Sequence, residues 1–234
     1  MSKAYFEFKQ FKVYHDKCAM KVGTDGLLLG TLTDCSKAAQ ILDIGAGTGL
    51  IALILAQRSD AIIDAIEIDD DASEQAKSNF DFSPWSDRLT CFHSSVFDFT
   101  TEKKYDVIVS NPPYFINSLK SNLHKKQTAR HIDEDFFPKL SLKISELLND
   151  NGSCWIVLPV NEMHQFTKHA KSAGLQPSKL IHIHSFDHSP EKRRIVAFRK
   201  EKNEVIFEKF VIYESQGTHS HQYISIAKDF LTIF

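Results

Sequence analysis

The chain has 234 residues and a hydrophobic fraction of 42%, which suits one domain with a sizeable core. A formal net charge of −2 excludes a protein that is basic overall, although a local basic stripe can still bind nucleic acid. The apolar runs are far shorter than a membrane span, and the N-terminus "MSKAYFEFKQF" has no apolar signal-peptide core. We therefore expect a soluble, cytoplasmic protein.

From Gln40 onward the hydrophobic pattern alternates short apolar strands with helices. Strands are predicted at 40–45, 61–69, 88–95, 105–110 and 153–159, and helices at 48–59, 70–83, 136–152 and 161–174. Asn151-Gly152 is the predicted C-cap of the helix at 136–152. Further strands at 179–186, 193–200 and 208–214 follow without long helices between them. Repeated βαβ units predict an α/β fold with a mostly parallel sheet. Residues 1–39 are predicted to be an appendage, and the polar stretch 116–133 a long loop of the kind that is often functional.

A glycine-rich turn follows the first of these strands. "LDIGAGTGL" (42–50) places Asp43 ahead of Gly45, Gly47 and Gly49, between a strand and a helix. Glycines permit a tight turn and let a ligand approach the backbone closely. The spacing differs from the G-x-G-x-x-G of dinucleotide sites, and an aspartate beside the loop suits a positively charged amino group better than a diphosphate. S-adenosylmethionine (SAM) carries such an amino group, a sulfonium and no phosphate.

The second strand ends in "IEID" (66–69), which places Glu67 about twenty residues after the glycine turn. A carboxylate at this position can accept hydrogen bonds from both hydroxyls of a ribose. Together, the two segments resemble the motifs of class I SAM-dependent methyltransferases. The resemblance implies a Rossmann-like fold: a mostly parallel seven-stranded sheet, helices on both faces and an antiparallel C-terminal strand.

The end of the third strand, "HSSVFDF" (93–99), is expected to meet the adenine of SAM. Many members of this class carry an aspartate at the position that aligns with Ser95, so the chain departs from their pattern. Ser95 itself, the backbone N–H groups near Val96, or Asp98 are the candidates for the adenine contact.

The fourth strand ends in "SNPPYF" (110–115), where two prolines stop the strand because proline has no N–H to donate. The segment resembles the [DNS]-PP-[YFW] motif of amino-methyltransferases, which methylate exocyclic amines of bases or the amide of glutamine. Catalytic roles are predicted for Asn111, Pro112 and Tyr114. The Asn111 side-chain oxygen and the Pro112 carbonyl accept the two N–H groups of the amine and position it, and Asn111 also adjoins the cofactor. Tyr114 stacks on a base.

The block "HDKCAMKVGTDGLLLG" (15–30) carries a more specific resemblance. With "LDIGAGTGLIAL", "SNPPYF" and "YISIAKDF", it is similar to the tRNA1(Val) adenosine-N6 methyltransferase family over nearly the whole chain. The resemblance implies SAM-dependent methylation of N6 of the adenosine just 3′ of the anticodon in a tRNA, with valine tRNA as the expected species. It also implies that residues 1–39 close over the methionine end of SAM through Lys21, Thr24 and Asp25, and that residues 40–234 form the methyltransferase domain. A monomer is the favoured oligomeric state.

Two alternatives stay open. Protein-glutamine methyltransferases share the NPPY motif, but they usually carry an N-terminal helical bundle, for which this chain has only about forty residues before its glycine turn. A non-catalytic module that binds SAM and RNA is the other alternative, although such a module has no need of paired amine acceptors.

Two groups of cations are candidates for contacts to RNA phosphates. They are Lys120, Lys125, Lys126 and Arg130 after the NPPY motif, and Arg193 and Arg194 near the C-terminal strands. Ordinary solvated charge is the alternative for each group. The histidine pairs His182/His184 and His219/His221 have no evident third ligand, and the four cysteines form no CxxC pair, so we expect no metal site.

Overall fold

The computed structural model describes residues 4–18, 22–113, 123–202 and 204–234, and within 123–134 it describes only the helical backbone. A nine-stranded sheet organises this part of the chain, and a separate hairpin of β1 (Tyr5–Glu7) and β2 (Lys12–Tyr14) precedes it. The strands of the sheet are β3 (Gln40–Ile44), β4 (Ile62–Glu67), β5 (Leu89–His93), β6 (Tyr105–Ser110), β7 (Leu148–Pro159), β8 (Gln176–Phe186), β9 (Glu191–Arg199), β10 (Ile206–Ser215) and β11 (Thr218–His219).

The spatial order of the strands is β11-β10-β8-β9-β7-β6-β3-β4-β5. Strands β3 to β7 pair in parallel, and β9 runs antiparallel between β7 and β8. The predicted α/β fold with a mostly parallel sheet is therefore confirmed, and the predicted antiparallel strand near the C-terminus is β9. The sheet is two strands longer than the seven expected, because β10 adds in parallel to the outer edge of β8 and β11 returns along β10.

Six helices cover the two faces of the sheet in the described residues. They are α1 (Thr24–Leu32), α2 (Leu50–Arg58), α3 (Asp70–Asp81), α4 (Leu123–Leu147), α5 (Val160–Ser172) and α6 (His221–Ala227). Side chains of α1, α2, α3 and α6 pack on one face with Ile41, and those of α4 and α5 pack on the other face with Leu42. Neighbouring strand residues point to opposite faces, so both faces of β3 are buried. None of the described helices is long and apolar enough to cross a membrane.

The region around α4 differs from the sequence prediction. The loop predicted at 116–133 is helical from Leu123 onward, and the helix predicted at 136–152 ends at Leu147. Pro138 would lie in the first turn of a helix that began at residue 136, but it lies inside the observed helix. The few apolar residues between 123 and 135 gave no periodic signal for the preceding turns.

Gly152 was predicted to cap α4 but belongs to strand β7. A Cβ atom at this position would lie 3.0 Å from the carbonyl oxygens of Tyr105 and Asp106. The glycine therefore permits a close approach of β7 to β6, where the register between the two strands shifts.

Two of the contacts between the N-terminal segment and the rest of the chain involve the hairpin and helix α1. The β1–β2 hairpin meets the C-terminal end, where the Lys9 N–H donates to the Phe230 carbonyl at 2.8 Å. Helix α1 packs on α2 so closely that a Cβ atom on Gly30 would lie 2.9 Å from Cγ2 of Ile54. This packing places the start of α1 at the edge of the sheet where β3, β4 and β6 end.

Candidate functional site

Two cavities meet at this carboxyl edge of the sheet, and they share Gly45, Gly47 and Asn111. The first, the sheet-edge cavity, has a volume of about 330 Å³ and is lined mainly by residues that follow β4, β5 and β6. The second, the N-terminal cavity, has a volume of about 420 Å³ and is lined by residues 23–26 and the glycine loop. Ligands of open α/β sheets bind at this edge, so the two cavities together form the candidate site.

The three glycines of the loop have left-handed backbone angles, but they serve different purposes. A Cβ atom on Gly45 (φ 75°) or Gly47 (φ 54°) would meet no atom within 4 Å, because both residues face the cavities. A Cβ atom on Gly49 (φ 79°) would lie 2.5 Å from the Phe80 ring. Gly45 and Gly47 therefore leave space for a ligand, whereas Gly49 permits the packing of α2 against α3.

Asp43, at the end of β3, is fully buried beneath this loop. Its Oδ2 accepts a hydrogen bond from the Ala52 N–H at 3.2 Å, and its Oδ1 has no partner in the described part of the chain. Burial raises the pKa of Asp43 to about 7; the negative charge of Glu67 adds to the rise, and the Ala52 N–H opposes it. An unpartnered buried carboxylate oxygen favours a cationic ligand close to the loop.

Glu67, at the end of β4, is buried and already hydrogen-bonded on both oxygens. Its Oε2 accepts from the Gly47 N–H at 2.8 Å, and its Oε1 accepts from the N–H groups of Ile68 and Asp69 at 2.9 and 3.0 Å. These bonds hold the carboxylate at the edge of the sheet-edge cavity. Each carboxylate oxygen has two acceptor sites, so one site, on Oε2, is left for a ligand hydroxyl.

The segment after β5 contributes Ser95 and Val96 to the sheet-edge cavity. The Ser95 hydroxyl oxygen accepts the Phe97 N–H at 3.2 Å, and the Ser95 carbonyl accepts the N–H groups of Asp98 and Phe99. Asp98, the third candidate for an adenine contact, is not among the described residues that line either cavity.

Three apolar side chains of the sheet-edge cavity, Ile68, Phe97 and Phe136, are not among the site residues predicted from the sequence. Ile68 is 67% exposed although it follows a buried strand, and Phe97 packs edge-to-face against Phe136 with ring centroids 5.8 Å apart. In the sequence, the signal for Ile68 is an isoleucine that stands between the acidic residues Glu67 and Asp69 at a strand end, since apolar residues there often line a site. Phe136 gave no signal, because only the packing of α4 brings it to this edge.

The end of β6 brings Asn111 to the junction of the two cavities, and Pro112 and Pro113 follow along the sheet-edge cavity. The buried Ser110 hydroxyl donates a hydrogen bond to the Ile44 carbonyl at 2.8 Å. This bond ties the end of β6 to the end of β3, so the Asn-Pro-Pro corner and the glycine loop are held next to each other.

Thr24 and Asp25, at the start of α1, line the N-terminal cavity as expected for that segment. Asp25 Oδ2 accepts a hydrogen bond from Arg193 Nε at 2.9 Å, so an arginine predicted to contact RNA lies against a residue predicted to contact the cofactor. The two are 168 residues apart, and no spacing in the sequence connects them.

Arg194 lies in a different network on the other face of β9. Its guanidinium donates to both oxygens of Glu191 at 2.8 and 2.9 Å, and His182 Nδ1 lies 2.8 Å from the same carboxylate. Burial opposes ionisation, but the hydrogen bonds from Arg194 and His182 hold the pKa of Glu191 below its ordinary value. The side chain of Arg194 is therefore engaged within the protein.

Several predicted residues cannot be placed in this geometry. Lys21, Tyr114 and Lys120 lie outside the described residues, and the side chains of Lys125, Lys126 and Arg130 do so as well. Among the side chains that are described, no three histidines, cysteines or carboxylates form a group that could hold a metal ion.

The electrostatic character of the two cavities is acidic. Asp25, Glu67 and Asp69 are among the described lining residues, and no lysine or arginine is; Arg193 balances the charge of Asp25 from outside the cavity lining, which leaves Glu67 and Asp69. With the unpartnered Oδ1 of Asp43, these carboxylates fit a ligand of net positive charge. An ammonium together with a sulfonium has that property, so the residues fit SAM.

Comparisons with known proteins agree with this geometry. Residues 18–170 match the family model of the methyltransferase small domain. The chain is 42% identical over 230 residues to a tRNA1(Val) (adenine(37)-N6)-methyltransferase of Pedobacter heparinus, and 44% identical over 230 residues to one of Phocaeicola vulgatus. In both cases the alignment covers 98% of each chain.

Solved structures show the same fold at low sequence identity. A predicted O-methyltransferase from Agrobacterium tumefaciens superposes with a TM-score of 0.69 at 17% identity, covering 88% of this chain and 96% of the other. The glycopeptide N-methyltransferase MtfA, solved in complex with SAM, superposes with a TM-score of 0.58 at 12% identity, covering 76% and 93%. The fold predicted from the sequence motifs is thereby confirmed as that of class I methyltransferases.

Proposed function

We propose that this chain, which belongs to the tRNA1(Val) (adenine(37)-N6)-methyltransferase family, uses SAM to methylate the N6 amino group of an adenosine in a tRNA. The observation that carries the proposal is the position of Asn111 at the junction of the two cavities, with Pro112 next to it on the sheet-edge cavity. Near-full-length similarity to relatives of that name supports the choice of adenosine and of tRNA. The substrate base is the adenosine 3′ of the anticodon, and a valine tRNA is the first candidate.

When bound, SAM supplies a methyl group on a sulfonium, so the enzyme needs no covalent nucleophile of its own. Gly45 and Gly47 leave room for the cofactor at the backbone, and the free acceptor site of Glu67 would hold a ribose hydroxyl. Ser95 and Val96 would hold the adenine, near the apolar side chains of Ile68 and Phe97. Asp43 lies beneath the glycine loop as the nearby negative charge.

The methionine end of the cofactor occupies the N-terminal cavity in this proposal. Thr24 and Asp25 line it, and Lys21 belongs to the same segment of the sequence. Residues 1–39 would then close over this end, while residues 40–234 form the methyltransferase domain. The packing of α1 on α2 supports this arrangement, because it brings residues 23–26 to the cavity.

Asn111 and Pro112 act by positioning the amino group of the adenine and by accepting hydrogen bonds from it. The lone pair of an adenine amino group is delocalised into the ring, so the nitrogen is a poor nucleophile. Asn111 Oδ1 and the Pro112 carbonyl accept its two N–H groups, which favours a pyramidal nitrogen and aligns it for attack. The methylated nitrogen carries a positive charge and releases its proton to solvent water, because neither amide oxygen is basic enough to keep it, and Tyr114 stacks on the base.

RNA contacts are proposed for the cations that follow the NPPY motif. Arg193 and Arg194 were candidates as well, but each has a carboxylate partner within the protein, at Asp25 and Glu191. Their guanidinium groups are therefore less available to phosphates. We accordingly favour the cations that follow the NPPY motif as the contacts to tRNA phosphates. These residues are Lys120, Lys125, Lys126 and Arg130.

A methylation assay tests the proposal directly. Purified protein is incubated with methyl-labelled SAM and total tRNA from a strain that lacks the gene, and the labelled nucleoside is identified after digestion. We expect N6-methyladenosine at the position 3′ of the anticodon. A release factor and duplex DNA are offered in parallel, and label in either of them but not in tRNA would refute the proposal in favour of a glutamine or DNA methyltransferase.

We further propose that the enzyme acts as a monomer in the cytoplasm, where tRNA occurs. Size-exclusion chromatography with light scattering, performed with and without tRNA, tests the oligomeric state. A mass of about 26.7 kDa for the free protein is expected. A stable mass of twice that value would contradict the proposal.

A further inference from the structure

Helix α3 carries two buried amide side chains one turn apart, Gln75 and Asn79, which are 4% and 1% exposed. Neither residue is among those that line the two cavities. Asn79 Oδ1 accepts the Tyr14 N–H at 2.9 Å, and Asn79 Nδ2 donates to the carbonyls of Tyr14 at 2.9 Å and Thr48 at 2.8 Å. Gln75 Oε1 accepts the Lys17 N–H at 3.1 Å.

These bonds join two segments that bound the candidate site from different sides. Thr48 belongs to the glycine loop and lines the N-terminal cavity. Tyr14 and Lys17 lead to Cys18, which lines the sheet-edge cavity, and the same N-terminal segment then supplies Thr24 to the N-terminal cavity. One buried side chain, that of Asn79, therefore bonds to both the glycine loop and the N-terminal segment.

We propose that Asn79 is a positioning residue for the cofactor, and that Gln75 supports it. Asn79 holds residues 14–18 beside the glycine loop, so that Cys18 and Thr48 bound the two cavities at a fixed separation. The proposal rests on SAM being the ligand of these cavities, as argued above. Its expected signature is a loss of SAM affinity without a loss of tRNA affinity.

The chemistry of the amide makes the proposal specific, because Asn79 is both a donor and an acceptor. Asn79→Asp has nearly the same shape and keeps the bond from the Tyr14 N–H. It places carboxylate oxygens against the carbonyls of Tyr14 and Thr48, which repel it. Asn79→Ala removes all three bonds and leaves these backbone groups without their protein partner.

Tyr105→Phe is the matched control. Tyr105 is fully buried, and its hydroxyl donates to Asp64 at 2.8 Å, away from both cavities. The substitution removes one buried hydrogen bond and lowers stability without touching the N-terminal segment. Gln75→Ala is a milder variant at the site itself, since it removes a single bond to the Lys17 N–H.

The test measures the Kd of SAM by calorimetry, the KM for SAM and for a valine tRNA transcript, and the melting temperature of each variant. Asn79→Ala and Asn79→Asp are expected to raise the Kd and KM for SAM at least about tenfold, with the KM for tRNA unchanged. Gln75→Ala is expected to raise the Kd for SAM by about threefold to fivefold. Tyr105→Phe leaves both KM values unchanged even though its melting temperature falls.

Hydrogen exchange supplies a second readout that a general loss of stability would not produce. Amides of residues 14–18 and 45–49 are expected to exchange faster in Asn79→Asp than in Tyr105→Phe, while the rest of the sheet exchanges alike. The proposal is overturned if SAM affinity in the Asn79 variants follows melting temperature as it does in Tyr105→Phe, or if both KM values rise together. If the Asn79 variants do not fold, an unchanged SAM affinity in Gln75→Ala overturns it.

Failure of the proposed function looks different. In that case the wild-type protein transfers no methyl group to tRNA, while the Kd values for SAM still report on Asn79.

Discussion

The two cavities of the site lie at the same edge of the sheet, but different interactions hold their walls. The sheet-edge cavity is bounded by residues that directly follow β4, β5 and β6, so the backbone ladder of the sheet positions them. The outer wall of the N-terminal cavity is residues 23–26, which reach the site through helix packing and long-range side-chain bonds. Changes at the first wall should therefore act on the fold or on catalysis, and changes at the second on ligand affinity.

The side chains that line the two cavities also differ in polarity. Ile68, Val96 and Phe97 give the sheet-edge cavity apolar walls, whereas Thr24 and Asp25 make the N-terminal cavity polar. A ligand that spans both must have a flat apolar end and a charged end. The adenine and the amino-acid portion of SAM match this requirement.

The largest effect is expected at Asn111, where the two cavities meet. Asn111→Ala removes one of the two acceptors for the amine, so kcat should fall about 100- to 1,000-fold. SAM binding should survive, because the other residues that line the two cavities stay in place. Single-turnover methylation of tRNA and calorimetry with SAM measure the two quantities. Asn111→Asp, which keeps an acceptor, is the control and should retain partial activity; full activity of Asn111→Ala would refute the role of this residue.

Two glycine substitutions distinguish an effect on folding stability from an effect on ligand binding. Gly49→Ala should lower the free energy of unfolding by about 2–4 kcal/mol, because it combines left-handed strain with a clash against Phe80. Gly47→Ala has the strain alone, about 1–2 kcal/mol, and its methyl group projects into the cavities. Urea unfolding and SAM titration measure both variants. We expect SAM affinity to fall more in Gly47→Ala, and equal stability losses would contradict this account.

Asp43 should make the stability of the cofactor-free protein depend on pH. Its pKa of about 7 in the folded state exceeds the ordinary 3.8, so between these values the folded protein binds a proton that the unfolded chain has released. Stability is then full near pH 4 and falls by about 1.4 kcal/mol per pH unit as pH rises toward 7. Asp43→Asn should remove this slope, as measured by urea unfolding at pH 5, 6 and 7.

The same carboxyl group should link SAM binding to pH. Ionised Asp43 attracts the cationic cofactor, so the Kd for SAM is expected to fall in the wild-type protein between pH 6 and pH 8. The Kd of Asp43→Asn should stay flat over this range. A parallel pH profile in the two proteins would show that another group is responsible.

The smallest effect is expected at Arg193, which holds Asp25 at the wall of the N-terminal cavity. The pair is partly exposed, so Arg193→Met should raise the KM for SAM by no more than about fivefold. The KM for tRNA and its salt dependence should not change. Lys200→Met, which breaks the exposed pair with Asp150, is the control. A raised KM for tRNA with a shallower salt dependence would instead assign Arg193 to RNA binding.

The sequence by itself determined the parallel βαβ core and the motifs at strand ends that meet at the two cavities. Gly45 and Gly47 adopt a backbone conformation that only glycine enters easily, and Pro112 ends a strand because it lacks an N–H. Such preferences act within a few neighbouring residues. Since the carboxyl ends of parallel strands share one edge, placing Asp43, Glu67 and Asn111 at strand ends was enough to bring them together.

Only the tertiary structure showed which side chains from distant parts of the chain contact each other around the site. The pairing of Arg193 with Asp25, the arrival of Phe136 at the sheet-edge cavity and the three bonds of Asn79 follow from how helices and strands pack. Gly152 was misjudged for the same reason, because a glycine before a strand looks like a helix cap until its close neighbour, Tyr105, is known. Local backbone preferences place the functional side chains at the edge of the sheet, and packing between distant segments determines the shape of the cavities around them.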